Sequence, residues 1–193
     1  RMLDMGFLPD VKRIIQLLPP KRQNMLFSAT FPKEVEQLAK SLLHNPKRVA
    51  VGTSAPANTV AHSLFPVARH LKTPILLEML KRSDADSVLV FARTKHRADK
   101  VMRQLEREGY MATALHGNRT QNQRQAALKG FRDGRYQVMV ATDIAARGLD
   151  IESIRLVINY DMPDTTDAYI HRIGRTGRAQ RTGEAYTLVV NED

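Results

Sequence analysis

The chain has 193 residues, 42% hydrophobic and 26% charged, enough for one globular domain or one domain plus part of another. It holds no cysteine, which excludes a disulfide framework, an iron–sulfur cluster, a thiolate zinc site and a cysteine nucleophile, and no apolar run approaches the roughly 20 residues that a membrane-spanning helix needs. Thirty Lys and Arg against 20 Asp and Glu leave a net charge of +10, which raises nucleic acid or phosphate groups as partners beside the plainer reading of a soluble basic surface.

The chain opens on Arg1 rather than Met and without a leader-like stretch, so a natural start is not expected there, and the expected setting is the cytoplasm. From Asp10 the apolar residues Val11, Ile14, Ile15 and Leu18 keep helical spacing until Pro19-Pro20 stops them. Met25-Leu26-Phe27 reads as a short strand running into Ser28-Ala29-Thr30. An amphipathic helix follows, with Val35, Leu38, Ala39 and Leu42 on one face, then a strand over 48–51. The small, polar stretch Gly52-Thr53-Ser54-Ala55-Pro56-Ala57-Asn58 reads as a linker.

After it the rhythm is regular. A strand over 64–67 and a helix over 74–80 lead to Ser87-Val88-Leu89-Val90-Phe91, a continuous apolar run of the kind buried on both faces of a parallel sheet. A helix with Ala98, Val101, Met102 and Leu105 at i, i+3, i+4, i+7 closes at Gly109. A strand over 110–115, a helix over 121–131 ending near Gly134, strands over 138–141 and 156–160, a helix over 165–173 and a strand over 185–190 complete the alternation. Strands alternating with helices predict βαβ units, hence an α/β fold with a parallel sheet covered on both faces.

Ligands of such sheets bind beyond the carboxyl ends of the strands. There the sequence places Arg93-Thr94-Lys95, His116-Gly117-Asn118-Arg119, Thr142-Asp143, Ala146-Arg147-Gly148-Leu149-Asp150 and Asp161. Singly, Thr94, Thr142 and Asp143 read as caps of the next helices. Their recurrence along one edge, with glycines that let a backbone approach phosphate, shifts the weight to a binding face. The densest signal is His171-Arg172-Ile173-Gly174-Arg175-Thr176-Gly177-Arg178. Glycine inside a helix costs about 1 kcal/mol relative to alanine, so Gly174 and Gly177 predict that the chain leaves the helix and presents Arg175 and Arg178 on a tight loop. Guanidinium groups suit bidentate contact with phosphate and can stabilise the charge on a transferring phosphoryl group. Helix-end cations facing solvent would account for one of these arginines, not for three. Aromatic residues make up only 6% of the chain, with no Trp, which points to the sugar–phosphate backbone rather than to stacked bases.

Ser28-Ala29-Thr30, Ala141-Thr142-Asp143-Ile144-Ala145-Ala146-Arg147-Gly148-Leu149-Asp150 and Tyr169-Ile170-His171-Arg172-Ile173-Gly174-Arg175-Thr176-Gly177-Arg178 resemble, in order, motifs III, V and VI of the DEAD-box ATP-dependent RNA helicases. The stretch 88–94 resembles motif IV, Gln121-Asn122-Gln123-Arg124 the QxxR element, and 1–7 the segment just after the DEAD tetrapeptide. The resemblance covers essentially the whole chain, and its nearest subgroup is the bacterial RhlE-like helicases. It implies a RecA-like parallel sheet with helices on both faces. Residues 1–51 would be the C-terminal remnant of the first RecA-like domain, 52–60 the linker and 61–193 the second RecA-like domain.

By the same resemblance, Arg175 and Arg178 are arginine fingers towards the ATP γ-phosphate, Asp150 accepts a hydrogen bond from the ribose, and His171 couples the nucleotide site to the first lobe through Ser28 and Thr30. Thr94, Gly117, Arg124, Thr142 and Arg147 would hold RNA phosphates and sugars, with Arg172 structural. The implied partners are RNA, ATP with Mg²⁺ (bound mainly by the first lobe) and ribonucleoprotein or RNA-decay proteins, with no membrane. The implied activity is ATP-driven local unwinding of RNA duplexes or remodelling of RNA–protein complexes. No G-x-x-x-x-G-K-[ST] loop occurs in the sequence. The chain therefore reads as a fragment trimmed at both ends and inactive by itself. The competing expectations are a non-catalytic RecA-like module that binds RNA or protein, and a DNA helicase of the same superfamily. The scattered histidines have no zinc-ligand spacing.

Overall fold

In the computed structural model, which describes residues 8–28, 31, 33–50, 59–146, 151, 154–177 and 182–191, the chain divides into two units, Arg1–Ser54 and Ala55–Asp193. Leu8–Gln16 (α1) and Lys33–Leu42 (α2) are the helices of the first unit. The expected apolar face of α2 is present, with Val35, Leu38 and Ala39 buried. The strands expected over 25–27 and 48–51 are not formed: 22–28 and 46–50 run as irregular chain, and Val51 lies outside the described residues. A short β-run is stable only when a ladder and a covered face support it, and among the described residues this unit contains no strand. Met25 and Phe27 accordingly stand 72% and 86% exposed. What holds the segment is polar: Asn24 Nδ2 donates to the Leu42 carbonyl at 2.9 Å, and Arg22 Nε donates to Asn24 Oδ1 at 2.9 Å. The linker expected over 52–60 lies outside the described residues as far as Asn58.

The second unit is built on strands Val60–Pro66 (β1), Val88–Phe91 (β2), Ala112–Leu115 (β3), Val138–Ala141 (β4), Leu156–Asn159 (β5) and Gly183–Val189 (β6). They form one six-stranded sheet in the order β1-β6-β5-β2-β4-β3, every pair parallel. The apolar runs β2, β4 and β5 are buried at every position because both faces are covered. Val88, Val90, Val138, Val140, Leu156 and Ile158 point to one face, where they meet helices Lys72–Arg82 (α3, through Leu76 and Leu80) and Lys95–Arg107 (α4, through Ala98, Val101, Met102 and Leu105). The alternate residues Leu89, Phe91, Met139, Ala141 and Val157 point to the other. There they meet Phe131 of Gln121–Arg132 (α5), Ala145 and Ala146 of Asp143–Ala146 (α6), and Ile173 of Thr166–Ile173 (α7). Each fully buried Leu or Val contributes about 1.5–3 kcal/mol relative to exposure, so the sheet interior carries most of the hydrophobic stabilisation. The expected architecture is therefore the observed one.

Among the described residues β1 lies at the sheet edge and pairs with β6 alone, and its residues 61–64 are exposed. At the centre, Phe91 of β2 stands opposite Ala141 on one side and Asn159 on the other, and Leu115 stands opposite Ala141. This register brings four strand ends to one rim, and with them the loops that follow.

Candidate functional site

Thr94, Gly117 and Thr142 follow the ends of β2, β3 and β4, so the structure brings these three expected RNA contacts to the same rim. Thr94 does cap α4: its Oγ1 accepts from the Arg97 backbone N–H at 3.2 Å. It is exposed, and a threonine hydroxyl that accepts at a cap still has its proton to donate. Gly117 is exposed, its φ is not in the left-handed region, and a Cβ built on it would meet nothing within 4 Å. Neither conformation nor internal packing requires glycine there, whereas close approach of an external group would. Thr142 is half-buried. Arg124 stands in the first turn of α5, whose start is fixed by a capping box between Thr120 and Gln123. Its Nε is shielded from solvent and has no hydrogen-bond partner among the described residues. Arg147, Asp150, Arg178 and Thr30 lie outside the described residues; Ser28 belongs to the first unit and is exposed.

The rim is organised around Arg172, a guanidinium only 3% exposed. Its Nε and Nη2 donate to the two carboxylate oxygens of Asp143, each at 2.6 Å. Its Nη1 donates to Asn159 Oδ1 at 3.2 Å and to the Asp161 carbonyl at 2.6 Å. The plane lies 5.0 Å from the centre of the Phe91 ring. Burying a cation is expensive unless pairing and hydrogen bonds compensate it, and here four bonds do. They fasten α7 to the ends of β4 and β5. Asn159 Nδ2 in turn donates to Thr187 Oγ1 at 2.9 Å, extending the network to β6.

Asp161 is a second junction, 2% exposed. Its Oδ1 accepts from Arg97 Nη1 at 2.7 Å and from the buried Lys72 Nζ at 3.3 Å, and its Oδ2 from the Arg93 N–H at 2.9 Å. It therefore holds the backbone next to Thr94. Sequence reasoning placed Asp143 and Asp161 on the edge without these roles and passed over Lys72, whose partner lies 89 positions away. A third cluster escaped it as well. His116, 1% exposed, places Nε2 2.9 Å from Asp99 Oδ1, while its Nδ1 accepts from the Asn118 N–H at 3.3 Å. With Nδ1 accepting, Nε2 is the nitrogen that donates to Asp99. Arg119 Nη2 also donates to Asp99 Oδ1, at 3.0 Å. Burial alone would raise the Asp99 pKa, but the His116 hydrogen bond and the nearby cations, Arg119 and Arg103, outweigh it and hold the carboxyl below its ordinary value. This cluster fixes the loop that carries Gly117.

α7 ends at Ile173, so Gly174 and Gly177 lie beyond the helix, as the glycine spacing predicts. His171, Arg172 and Arg175 line a pocket with Phe91, Asp143, Ala146 and Ala168. Arg175 Nε donates to the His171 carbonyl at 3.2 Å, so this arginine also closes the helix end. Thr176 is buried and its hydroxyl reaches the carbonyls of Ile154 at 2.6 Å and Arg155 at 3.0 Å. Gly177 has φ +68°, and a Cβ there would sit 2.6 Å from Val60 Cγ2 and 2.9 Å from Thr59 Oγ1. Thr59 Oγ1 donates to the Gly177 carbonyl at 2.8 Å. The turn after α7 is thus pinned on both sides.

Residues 71–180 match the model of the helicase conserved C-terminal domain, and residues 1–38 match that of the DEAD/DEAH box helicases. The chain is 43% identical, over its whole length, to the ATP-dependent RNA helicase DBP2 of Lodderomyces elongisporus, of which it spans 36%. It is 45% identical, again over its whole length, to the DEAD-box ATP-dependent RNA helicase 30 of Arabidopsis thaliana, of which it spans 33%. The chain therefore covers about a third of these relatives. Among solved structures, Saccharomyces cerevisiae Dbp5 bound to RNA and ADP BeF3 matches 98% of this chain and 51% of its own, with a TM-score of 0.87 and 33% identity. The two curated relatives are eukaryotic, and the expected placement nearest the bacterial RhlE-like helicases finds no support in them. On these matches and on its all-parallel RecA-like sheet, the chain belongs to the DEAD-box RNA helicase family, of which it carries the conserved C-terminal domain.

Proposed function

We propose that the chain is the part of an ATP-dependent RNA helicase that supplies arginine fingers and an RNA backbone-binding rim, and so couples ATP hydrolysis to local duplex unwinding or RNA–protein remodelling. In this reading 1–51 belongs to the first RecA-like domain, 52–60 to the linker and 61–193 to the second. The observation that carries it is the placement of Arg172. It grips Asp143, the residue after Thr142, and the Asp161 carbonyl, whose own carboxylate accepts from the Arg93 N–H beside Thr94; His171 adjoins it on α7, and Arg175 lies in the turn that follows. One buried side chain thereby links the expected phosphate-facing helix to the expected RNA-facing loops.

The pocket at the end of α7 fits a nucleotide phosphate. His171 and Arg175 line it, and the one carboxylate among its described lining residues, Asp143, is neutralised by Arg172, whose guanidinium is already engaged. ATP bound there would supply a phosphoryl group for transfer to water. Arg175 and Arg178 would bear on the charge that develops during transfer, Asp150 would accept from the ribose, and His171 would relay the state of the site to Ser28 and Thr30. Mg²⁺ we assign mainly to the first lobe. On the rim, the Thr94 and Thr142 hydroxyls, the open backbone of Gly117 and the guanidinium groups of Arg124 and Arg147 would take phosphates and sugars, independent of base sequence.

The test is RNA-dependent ATP hydrolysis by the longer protein that contains this chain. Arg178→Ala and Arg175→Ala are each expected to slow it by roughly 10³–10⁵, the contribution of an arginine finger. The chain by itself, with no phosphate-cradling motif, is expected to show no turnover. A longer protein that binds RNA without hydrolysing ATP would establish the non-catalytic module instead, and stimulation by DNA but not RNA would establish a DNA helicase.

A further inference from the structure

α4 carries more positive charge than its packing uses. It holds five Lys and Arg against Asp99 and Glu106, and its buried side is Ala98, Val101, Met102 and Leu105. On the opposite side His96, Lys100, Arg103 and Arg107 fall at i, i+4, i+7 and i+11, all exposed. That spacing stacks them into one stripe, about 17 Å long at 1.5 Å per residue. Lys100, Arg103 and Arg107 have no carboxylate within ion-pair distance among the described residues. Asp99 is bonded to His116 and Arg119, with Arg103 acting on it only through space, and Glu78 of α3 to Arg82, while Glu106 and Glu108 leave the stripe net positive. Like charges three and four positions apart repel and weaken a helix slightly, a cost that an anion along the stripe would offset. The stripe begins at His96, two residues after Thr94, the cap of α4, so it starts near the rim and runs along the exposed side of the helix.

From this we infer that the outer face of α4 is a track for the sugar–phosphate backbone of an RNA strand that continues past the rim. The inference rests on the rim binding RNA and adds a second stretch of sequence-independent contact to it. The Cβ atoms of neighbouring stripe residues are about 5–6 Å apart, a regular row that suits the repeating phosphates of one strand. The stripe's start two residues from Thr94 places that path beside the rim.

The test is equilibrium binding of the 193-residue chain to single-stranded RNAs of about 6 and about 16 nucleotides, the range of lengths that single-strand binders cover, at several salt concentrations. The unsubstituted chain is expected to bind the longer RNA more tightly and with a steeper salt dependence. Lys100→Glu/Arg103→Glu/Arg107→Glu should weaken the longer RNA on the order of tenfold or more and flatten its log–log salt slope by about 2, at ~0.7 per phosphate. The shorter RNA should be unaffected. Arg124→Ala, on the rim, should weaken both lengths. If circular dichroism shows that charge reversal unfolds the chain, the Gln triple substitution takes its place with the same readout. An unchanged affinity and slope for the longer RNA in the triple variant overturns the track, as does equal affinity of the unsubstituted chain for both lengths. Failure of Arg124→Ala to weaken either RNA would instead overturn the rim.

Discussion

Arg172 occupies a position where charge, shape and connectivity all constrain the side chain. Removing one member of a buried, hydrogen-bonded ion pair leaves the other uncompensated, at a cost of about 3–5 kcal/mol. Arg172→Ala should lower the unfolding free energy of the chain by that amount in urea titrations, and a loss below ~1 kcal/mol would show that the network is dispensable. Arg172→Lys keeps the charge but not the fork that grips both Asp143 oxygens, so it should fall between the two. Asp99 makes a prediction of opposite character. Its folded pKa lies below the ordinary 3.8, so the stability it contributes is fully present above that value and is lost as pH falls through the lower folded value. Asp99→Asn should flatten the acid limb of the stability–pH curve in that window. An unaltered limb would exclude the His116–Asp99–Arg119 cluster as its source.

The elements differ in how far the linear sequence reveals them. β2, β4 and β5 were readable because runs of four, four and three consecutive apolar residues fit strands covered on both faces, and the observed burial is complete. The helix ends near Gly109 and Gly134 were readable for a local reason too: both glycines adopt positive φ, at +86° and +72°. Met25-Leu26-Phe27 looked the same on paper and is no strand, because a β-run depends on partners that its own residues do not specify. The junctions at Arg172 and Asp161 were hidden for a similar reason, since their bonds join residues 11 to 89 positions apart. Two glycines separate local need from external use. Gly177→Ala should destabilise the domain by about 1–3 kcal/mol, because it forces a side chain into a left-handed backbone and against Thr59 and Val60. Gly117→Ala meets open space and should leave thermal unfolding unchanged while weakening RNA binding. If both variants lost stability equally, the assignment of Gly117 to an external partner would fall.

At the scale of the whole molecule, the sheet ends differently on its two sides. The β3 side finishes in a four-residue strand whose Ala112, Ala114 and Leu115 are buried, whereas β1 runs for seven residues with 61–64 exposed and Leu64 57% exposed. An outermost strand with unsatisfied backbone groups is a template on which a second chain can continue the ladder. Between Val60 and Pro66, β1 contains no Lys, Arg, Asp or Glu to discourage this. Concentrated solutions of the chain should therefore self-associate by zippering molecules edge to edge, and light scattering should detect it. Leu64→Lys, a gatekeeper charge on that border, should suppress the aggregation without touching the pocket at the end of α7.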